Sequence, residues 1–392
     1  MSNLSAWIEF NPPVSLEKGK DYPFVGMDRI QPGIRYTRAN TQRNFPSGGA
    51  RFRHGDTLFA RITPCLENGK IAQFIAEPEV CGFGSTEFFV LRAKENIADP
   101  AFVYYLAKTE LLRETAIQSM VGASGRQRAD VESLRQLEIY LPDLPTQREI
   151  GKVLAYYDDL LDTNRRRIAL LEESARLLYS EWFVYMRYPG CFSPQNASEL
   201  PEGWEIKPLA EMAVVNRASL GSNSKFEDIQ YVDIASVETG IVLGTSKMRY
   251  SEAPGRARRL VQHGDVIWSC VRPNRRSYAL LWEPDADVVV STGFAVLTAS
   301  SVPFSYLYFV TTSDDFVAYL TNRATGAAYP AVSGKDFEEA PVLCPDSQVL
   351  QDFDERCLPM LELRSKLIRQ NACLTEARDA LLPKLMSGAI QV

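Results

Sequence analysis

The stretch Arg53-His54-Gly55-Asp56-Thr57-Leu58-Phe59 returns as Gln262-His263-Gly264-Asp265-Val266-Ile267-Trp268, a displacement of 209 residues that puts the chain's only two histidines in matching places. Outward from this pair the correspondence keeps its order. Tyr22-Pro23-Phe24-Val25 matches Ile229-Gln230-Tyr231-Val232, and Ser85-Thr86-Glu87-Phe88 matches Ser291-Thr292-Gly293-Phe294. The Gly-rich stretch Gly122-Ala123-Ser124-Gly125-Arg126-Gln127-Arg128 has its counterpart in Thr325-Gly326-Ala327-Ala328-Tyr329-Pro330. Tyr140-Leu141-Pro142-Asp143 matches Leu343-Cys344-Pro345-Asp346, now at a displacement of 203. Self-similarity that drifts by so little marks two diverged copies of one unit, each the size of a domain.

Each copy has a β-rich front and a helical back. In the front, short runs such as Leu58-Phe59-Ala60 and Phe88-Phe89-Val90-Leu91, or Val266-Ile267-Trp268 and Phe294-Ala295-Val296-Leu297, alternate with turn signals. A helix is expected from Pro100 to about Gln118 and from Pro303 to about Leu320, with Pro near its first turn. In the back of copy one, Ile150, Leu154, Tyr157, Leu161, Asn164, Ile168, Leu171, Ala175, Leu178 and Trp182 alternate steps of four and three residues. That is a heptad seam, and it predicts a helix paired lengthwise with another. Thr146 and Glu149 form a capping-box pattern at its start. The matching set is Phe353, Cys357, Met360, Arg364, Leu367, Asn371, Leu374, Arg378, Leu381 and Leu385, with two Arg on the seam and with Pro359 and Pro383 expected to bend the helix. If the two helices run antiparallel with aligned midpoints, facing residues have numbers that total 535, so Asn164 faces Asn371 and fixes the register. The fold expected is α+β: two similar domains, 1–145 and 188–346, joined by long helices at 146–187 and 347–392 that form an antiparallel coiled coil with a pseudo-two-fold internal repeat.

The net charge is −6, from 43 Lys+Arg against 49 Asp+Glu, yet the average hides its distribution. Residues 26–61 carry seven Arg against two Asp, a local +5. Residues 247–276 carry Lys247 and seven Arg against Glu252 and Asp265, a local +6, which leaves −17 for the remainder. Both basic segments surround the Gly-Asp turn. Arg supplies nearly all of this charge, and its fork suits phosphate oxygens and guanine edges, so two basic patches in register across the repeat point to DNA.

Other chemistries find no footing in the sequence. The Gly-Lys pairs at Gly19, Gly69, Gly151 and Gly334 lack the following Ser or Thr of a phosphate loop. Asn11-Pro12-Pro13-Val14 has Val where a base-stacking methyltransferase loop carries an aromatic residue, and Asn216 matches Asn11 without the prolines, so a turn is expected at both. His54 and His263 have no ligand set at metal spacing and read as turn residues. The seven Cys form no Cys-x-x-Cys pair and read as buried, reduced thiols, which with an N-terminus unlike a signal peptide suggests a cytoplasmic protein. The uncharged stretch 288–313 reads as a strand, a turn and a helix start, and no membrane association is expected.

A duplicated unit of β-rich domain plus long helix, with Arg-rich patches and no catalytic motif, resembles the specificity subunit of type I restriction-modification systems. The residues that carry the match are His54-Gly55-Asp56-Thr57-Leu58-Phe59-Ala60-Arg61 and His263-Gly264-Asp265-Val266-Ile267-Trp268-Ser269. Leu141-Pro142-Asp143-Leu144-Pro145-Thr146-Gln147 is similar to the family's entry to its central helix, and Leu200-Pro201-Glu202-Gly203-Trp204 to its usual start of a recognition domain. The resemblance implies a DNA reader with no catalytic residues, metal or cofactor of its own. Each target-recognition domain would read one half of a split double-stranded DNA target. The helices would act as ruler and dock two methyltransferase subunits, which would bind S-adenosylmethionine and methylate adenine, with an ATP-driven restriction and translocase subunit as a further partner. Residues 150 to 182 of a helix rise ~50 Å, enough to span half-sites one DNA turn (~34–36 Å) apart.

Two loops per domain are the expected DNA contacts. After the Gly-Asp strand these are Arg61, Thr63, Asn68 and Lys70 in copy one and Arg272, Asn274, Arg275 and Arg276 in copy two. The Gly-rich loop adds Ser124, Arg126, Gln127 and Arg128, then Tyr329, Ser333 and Lys335. Arg, Asn and Gln suit base edges, while Ser, Thr and Lys suit phosphates. Two readings from other classes stand beside this one: a DNA-acting methyltransferase or nuclease with an atypical site, and an assembly adaptor whose basic patches bind acidic protein.

Overall fold

The computed structural model describes residues 1–189, 200–221 and 226–392. The chain divides into two units, Met1–Arg166 with Ile368–Val392, and Arg167–Leu367.

Unit 1 holds two larger sheets beside the short antiparallel pair Ser2–Asn3 with Glu138–Ile139. The first orders Ile8–Phe10, Phe88–Ala93, Thr57–Ala60, Ile71–Phe74 and Tyr36–Thr37 side by side. The second orders Thr41–Asn44, Asp21–Val25, Cys81–Gly84 and Ala50–Arg53. Thr57–Ala60 lies in the middle of its sheet, buried on both faces, so its residues need not alternate in polarity. Unit 2 repeats this plan with Ala213–Val215, Phe294–Ala299, Val266–Ser269 and Tyr278–Leu280, then Ser246–Arg249, Asp228–Val232, Val288–Ser291 and Ala257–Leu260. Even the unusual parallel pairing recurs: Asp21–Val25 lies parallel to Cys81–Gly84, and Asp228–Val232 to Val288–Ser291. The duplication read from sequence is therefore a duplication of topology.

The Gly-Asp turn has one job in both units. Asp56 accepts from the Arg53 amide (2.8 Å) and Asp265 from the Gln262 amide (2.8 Å), which closes the turn into the central strand. The buried carboxylates are then satisfied differently. Arg92 binds Asp56 through two bonds of 2.7 and 2.6 Å, whereas Asp265 accepts from the Thr298 hydroxyl at 2.7 Å, and burial raises its pKa above the usual carboxylate value. Each histidine accepts a backbone N–H on Nδ1, from Ala76 at 3.2 Å and from Glu283 at 3.1 Å. Asn11 and Asn216 take left-handed φ of 52° and 58° and accept from the amides of Val90 and Val296, so both are turn residues as expected.

Several helix expectations need correction. The predicted single helix after each sheet is two: Pro100–Lys108 and Glu110–Gln118, then Phe304–Thr311 and Asp314–Arg323. The breaks have a cause, since Thr109 and Ser313 are extended and their side chains accept the amides of Leu112 and Phe316, starting a new helix. The central helix runs Leu144–Tyr179 and passes into a π-helical turn, Ser180–Val184. Its cap is Asp143, which accepts from the Thr146 amide at 3.1 Å, and no capping box forms at Thr146. Pro145, with no N–H to satisfy, fits the first turn, so the helix starts two residues earlier than expected. The C-terminal helix is continuous from Ser347 to Met386 and contains both Pro359 and Pro383.

The seam is buried or half-buried at every predicted position. In unit 1, Asn164 Nδ2 donates to Asn371 Oδ1 and Gln370 Oε1, each at 3.0 Å, so the two asparagines meet as the register required. The two seam arginines are paired, one in each unit. Arg378 meets Asp158 at 2.5 Å with both side chains 2% exposed, and Tyr105 donates to the other carboxylate oxygen at 2.6 Å. In unit 2, Arg364 lies 2.9 Å from Glu172 as an ion pair without an aligned hydrogen bond, and its guanidinium donates to the Gly240 carbonyl. Tyr308 and Arg176 complete the Glu172 environment at 2.9 and 2.8 Å. The six described cysteines are free thiols, but only Cys357 is buried, while Cys373 is exposed; Cys191 lies outside the described residues. The uncharged stretch forms strand, turn, strand and helix start, and no described helix is long and apolar enough to cross a membrane.

Candidate nucleic-acid interface

In both units the loop that leaves the central strand is stitched to the Gly-rich loop. In unit 1 the Thr63 amide donates to the Gln127 carbonyl (3.0 Å), the Gln127 amide to Thr63 Oγ1 (3.0 Å), and the Ala129 amide to the Arg61 carbonyl (2.8 Å). In unit 2 the Arg272 amide donates to the Pro330 carbonyl (2.7 Å) and the Val332 amide to the Cys270 carbonyl (2.9 Å). The Gly-rich loops are hairpin tips closed by paired bonds, Val121 with Arg128 and Thr325 with Ala331. Gly122 and Gly326, at φ of 125° and 106°, supply the turn that residues with a Cβ avoid. The two loops singled out in each copy thus form one composite surface at the same place on the same scaffold.

The side chains on that surface differ between the units. On unit 1, Ser124, Arg126 and Asn68 are exposed, and Gln127 is half-buried. Arg61 lies over the Phe89 ring at 5.0 Å. Arg128 is held by Glu87, with Nε 3.1 and 3.0 Å from Oε1 and Oε2 and a terminal nitrogen 2.7 Å from Oε1. These bonds lower the Glu87 pKa and raise that of Arg128. On unit 2, Arg272 adopts φ of 52°, stacks over Tyr329 at 4.6 Å and donates to the Ala328 carbonyl at 3.1 Å. Asn274 and Arg275 are exposed beside it, and Arg276 pairs with Asp314 at 2.5 Å. Arg272, Arg275 and Tyr329 share a cleft of about 480 Å³ with Asp233 and Arg256.

Three more of the singled-out residues carry structural bonds. Lys70 donates to the Met27 carbonyl at 3.0 Å, Ser333 caps the helix Gly334–Glu338 by a reciprocal bond with Asp336, and Lys335 sits 3.4 Å from Glu339. Two acidic groups were missed, Glu87 and Asp314, because a search for positive charge passes over the carboxylates that aim it. No group of three or more metal-ligating side chains occurs among the described residues.

Comparison with known proteins gives a consistent picture. The family described as "Type I restriction modification DNA specificity domain" matches residues 6–173. A "Type I restriction enzyme MjaIX specificity subunit" from Methanocaldococcus jannaschii is 24% identical over 305 residues, covering 74% of this chain and 69% of that one. A "Type I restriction enzyme HindI specificity subunit" from Haemophilus influenzae is 20% identical over 405 residues, covering 86% and 87% of the two chains. In fold, the chain is similar to the crystal structure of a type I restriction-modification S subunit from M. genitalium, with a TM-score of 0.58, 15% identity, and coverage of 98% and 95%.

Proposed function

We propose that this chain belongs to the type I restriction-modification specificity family, a reading its matches to that family's domain and subunits support, and that it reads a split double-stranded DNA target, one half with each target-recognition domain. The observation that carries the reading is the composite loop surface built at the same place in both units from different residues. One scaffold used twice supplies two readers, and different side chains on it read different base pairs, so the target is a two-part asymmetric sequence. The recognition domains are 1–145 and 188–346. The helices 146–187 and 347–392 set the spacer and dock two methyltransferase subunits, and a restriction and translocase subunit joins the same assembly. The chain itself is a non-catalytic cytoplasmic protein that binds no metal or cofactor. The chemistry of methylation and cleavage belongs to the partners.

The test is a map of methylated adenines in the host genome, repeated in a strain that lacks this chain. A two-part motif with a fixed spacer that disappears with the chain is the expected result. Methyl transfer or cleavage by the purified chain alone would overturn the non-catalytic reading. Absence of salt-dependent, sequence-specific DNA binding in the presence of the methyltransferase partner would favour an assembly adaptor.

A further inference from the structure

Arg128 and Glu87 form a unit with no counterpart in the second copy. Glu87 stands in the turn between Cys81–Gly84 and Phe88–Ala93, where its amide donates to Ser85 Oγ (3.2 Å) and its carbonyl accepts from the Arg61 amide (3.0 Å). The equivalent turn in unit 2 makes the same two bonds through Gly293, to Ser291 Oγ at 3.1 Å and from the Cys270 amide at 2.8 Å. Gly293 has no carboxylate, and a Cβ there would lie 2.6 Å from Ile234 Cδ1. Arg128 closes its hairpin as Ala331 closes the other. The backbone arrangement is the same in the two copies, and the ion pair is added to one of them.

The geometry of the pair is informative. Glu87 engages the side of the guanidinium, through Nε and one terminal nitrogen. The end of the fork, where both terminal nitrogens carry outward N–H groups, is left to other acceptors. That end matches the O6 and N7 acceptors of guanine in the major groove, a bidentate contact that distinguishes guanine from the other bases. The pair is not buried: the side chains of Arg128 and Glu87 are 44% and 22% exposed, so a base edge can reach the fork. A carboxylate on the side face removes rotamer freedom from a long side chain before DNA arrives, so less entropy is lost on binding.

We propose that Arg128, aimed by Glu87, reads one guanine in the half-site bound by unit 1. This rests on the split-target reading above. Arg128 is the contacting residue and Glu87 a positioning residue; unit 2 has Gly293 and Ala331 at these two places, and its Arg276–Asp314 pair stands elsewhere on its loop surface.

The experiment expresses the full chain with its methyltransferase partner in a methylation-free host and maps the methylated motif for wild type, R128A, R128K, E87Q and E87A. Binding is measured in parallel against oligonucleotides substituted at each position of the wild-type motif. For R128A the expected result is relaxation at one G·C position of one half-site, a loss of about 5- to 150-fold in discrimination there, with the other half-site unchanged. R128K and E87A relax the same position less, and E87Q less again, because the amide keeps a hydrogen bond to the guanidinium. Melting temperatures check that each variant folds. An R128A variant that weakens all sequences equally, with the motif intact and a smaller salt dependence, marks a phosphate contact and overturns the guanine assignment. So does a relaxed position that is not G·C. If E87A leaves discrimination untouched while R128A abolishes it, the positioning role fails. If the wild type writes no split motif, the split-target reading has failed instead, and the two failures are distinct.

Discussion

Substituting Asp158 with Asn tests the polar centre of unit 1. The carboxylate sits opposite Arg378 at 2.5 Å, both side chains 2% exposed, and takes the Tyr105 hydroxyl at 2.6 Å. The amide oxygen of the variant can still accept from Tyr105, but Arg378 then keeps only Asp379 (2.9 Å) and the Gly33 carbonyl (3.3 Å). Removing one partner of a buried pair costs about 3–5 kcal/mol, mainly because the remaining charge stays out of water. For a unit of about 190 residues, each kcal/mol moves the melting temperature by about 2–4 °C, so D158N should lower the transition of unit 1 by about 6–20 °C. The double variant D158N/R378M removes the charge with its partner. It forfeits the weak bond to Gly33 and the contact with Asp379, whose carboxylate is 53% exposed and returns to water at little cost, and should return to within about 1–2 kcal/mol of wild type. Calorimetry of the full chain reads the transition. Hydrogen exchange locates it, with protection lost in both helix segments of unit 1. A loss under about 1 kcal/mol for D158N, or a double variant no more stable than the single one, would refute the account of Arg378 as a cation held in place by Asp158.

Three further outcomes follow from the same contacts. Replacing Asn164 and Asn371 with Leu should raise the melting temperature of unit 1 while loosening its register, because a polar pair at a seam position trades stability for specificity. Retention of one register, judged by cysteine cross-links placed along the seam, would count against that role. Burial raises the Asp265 pKa, so between the ordinary carboxylate value and the raised one the folded state holds more protons, and stability falls as pH rises through that window. D265N lacks this slope, so wild type should gain on it as pH is lowered from 7 towards 4; parallel melting curves contradict the assignment. Finally, seven residues inserted after Asn164, matched by seven before Asn371, lengthen the helices by ~10 Å. The methylated motif should then show a spacer longer by about three base pairs, at ~3.4 Å each, with both half-sites unchanged. Altered half-sites would rule out the helices as a ruler.

What the sequence made legible depended on range. The repeat and the seam were readable because they are periodic: His54 and His263 mark one place in two copies, and steps of three and four residues need no tertiary information. The breaks at Thr109 and Ser313 were not, since either residue is tolerated inside a helix and only its backbone conformation makes it a cap. The seam arginines looked like flaws because their partners sit off the heptad ladder. Asp158 follows Tyr157 and Glu172 follows Leu171, each one residue past a seam position. At the interface, the repeat identified both loops, and their hydrogen-bonded union follows from the fold. The repeat did not reveal which side chains were already committed: Lys70 to Met27, Ser333 to Asp336 and Lys335 to Glu339.

The charges on the helices also break the symmetry that the duplication would otherwise impose. The central helix carries both carboxylates, Asp158 and Glu172, and the C-terminal helix both arginines, Arg364 and Arg378, each pair spaced by two heptads. Unit 1 joins Asp158 to Arg378, and unit 2 joins Glu172 to Arg364. An antiparallel pairing of the central helix with a second copy of itself would bury Asp158 and Glu172 with neither Arg364 nor Arg378 to meet them. The C-terminal helix paired with itself would bury both arginines without these carboxylates. Either arrangement leaves buried charges without their partners, at the full desolvation cost. Two helices descended from one repeat share an apolar pattern and would otherwise pair indiscriminately. The asparagines define where the seam is centred, and the division of acid from base defines which helix may fill it.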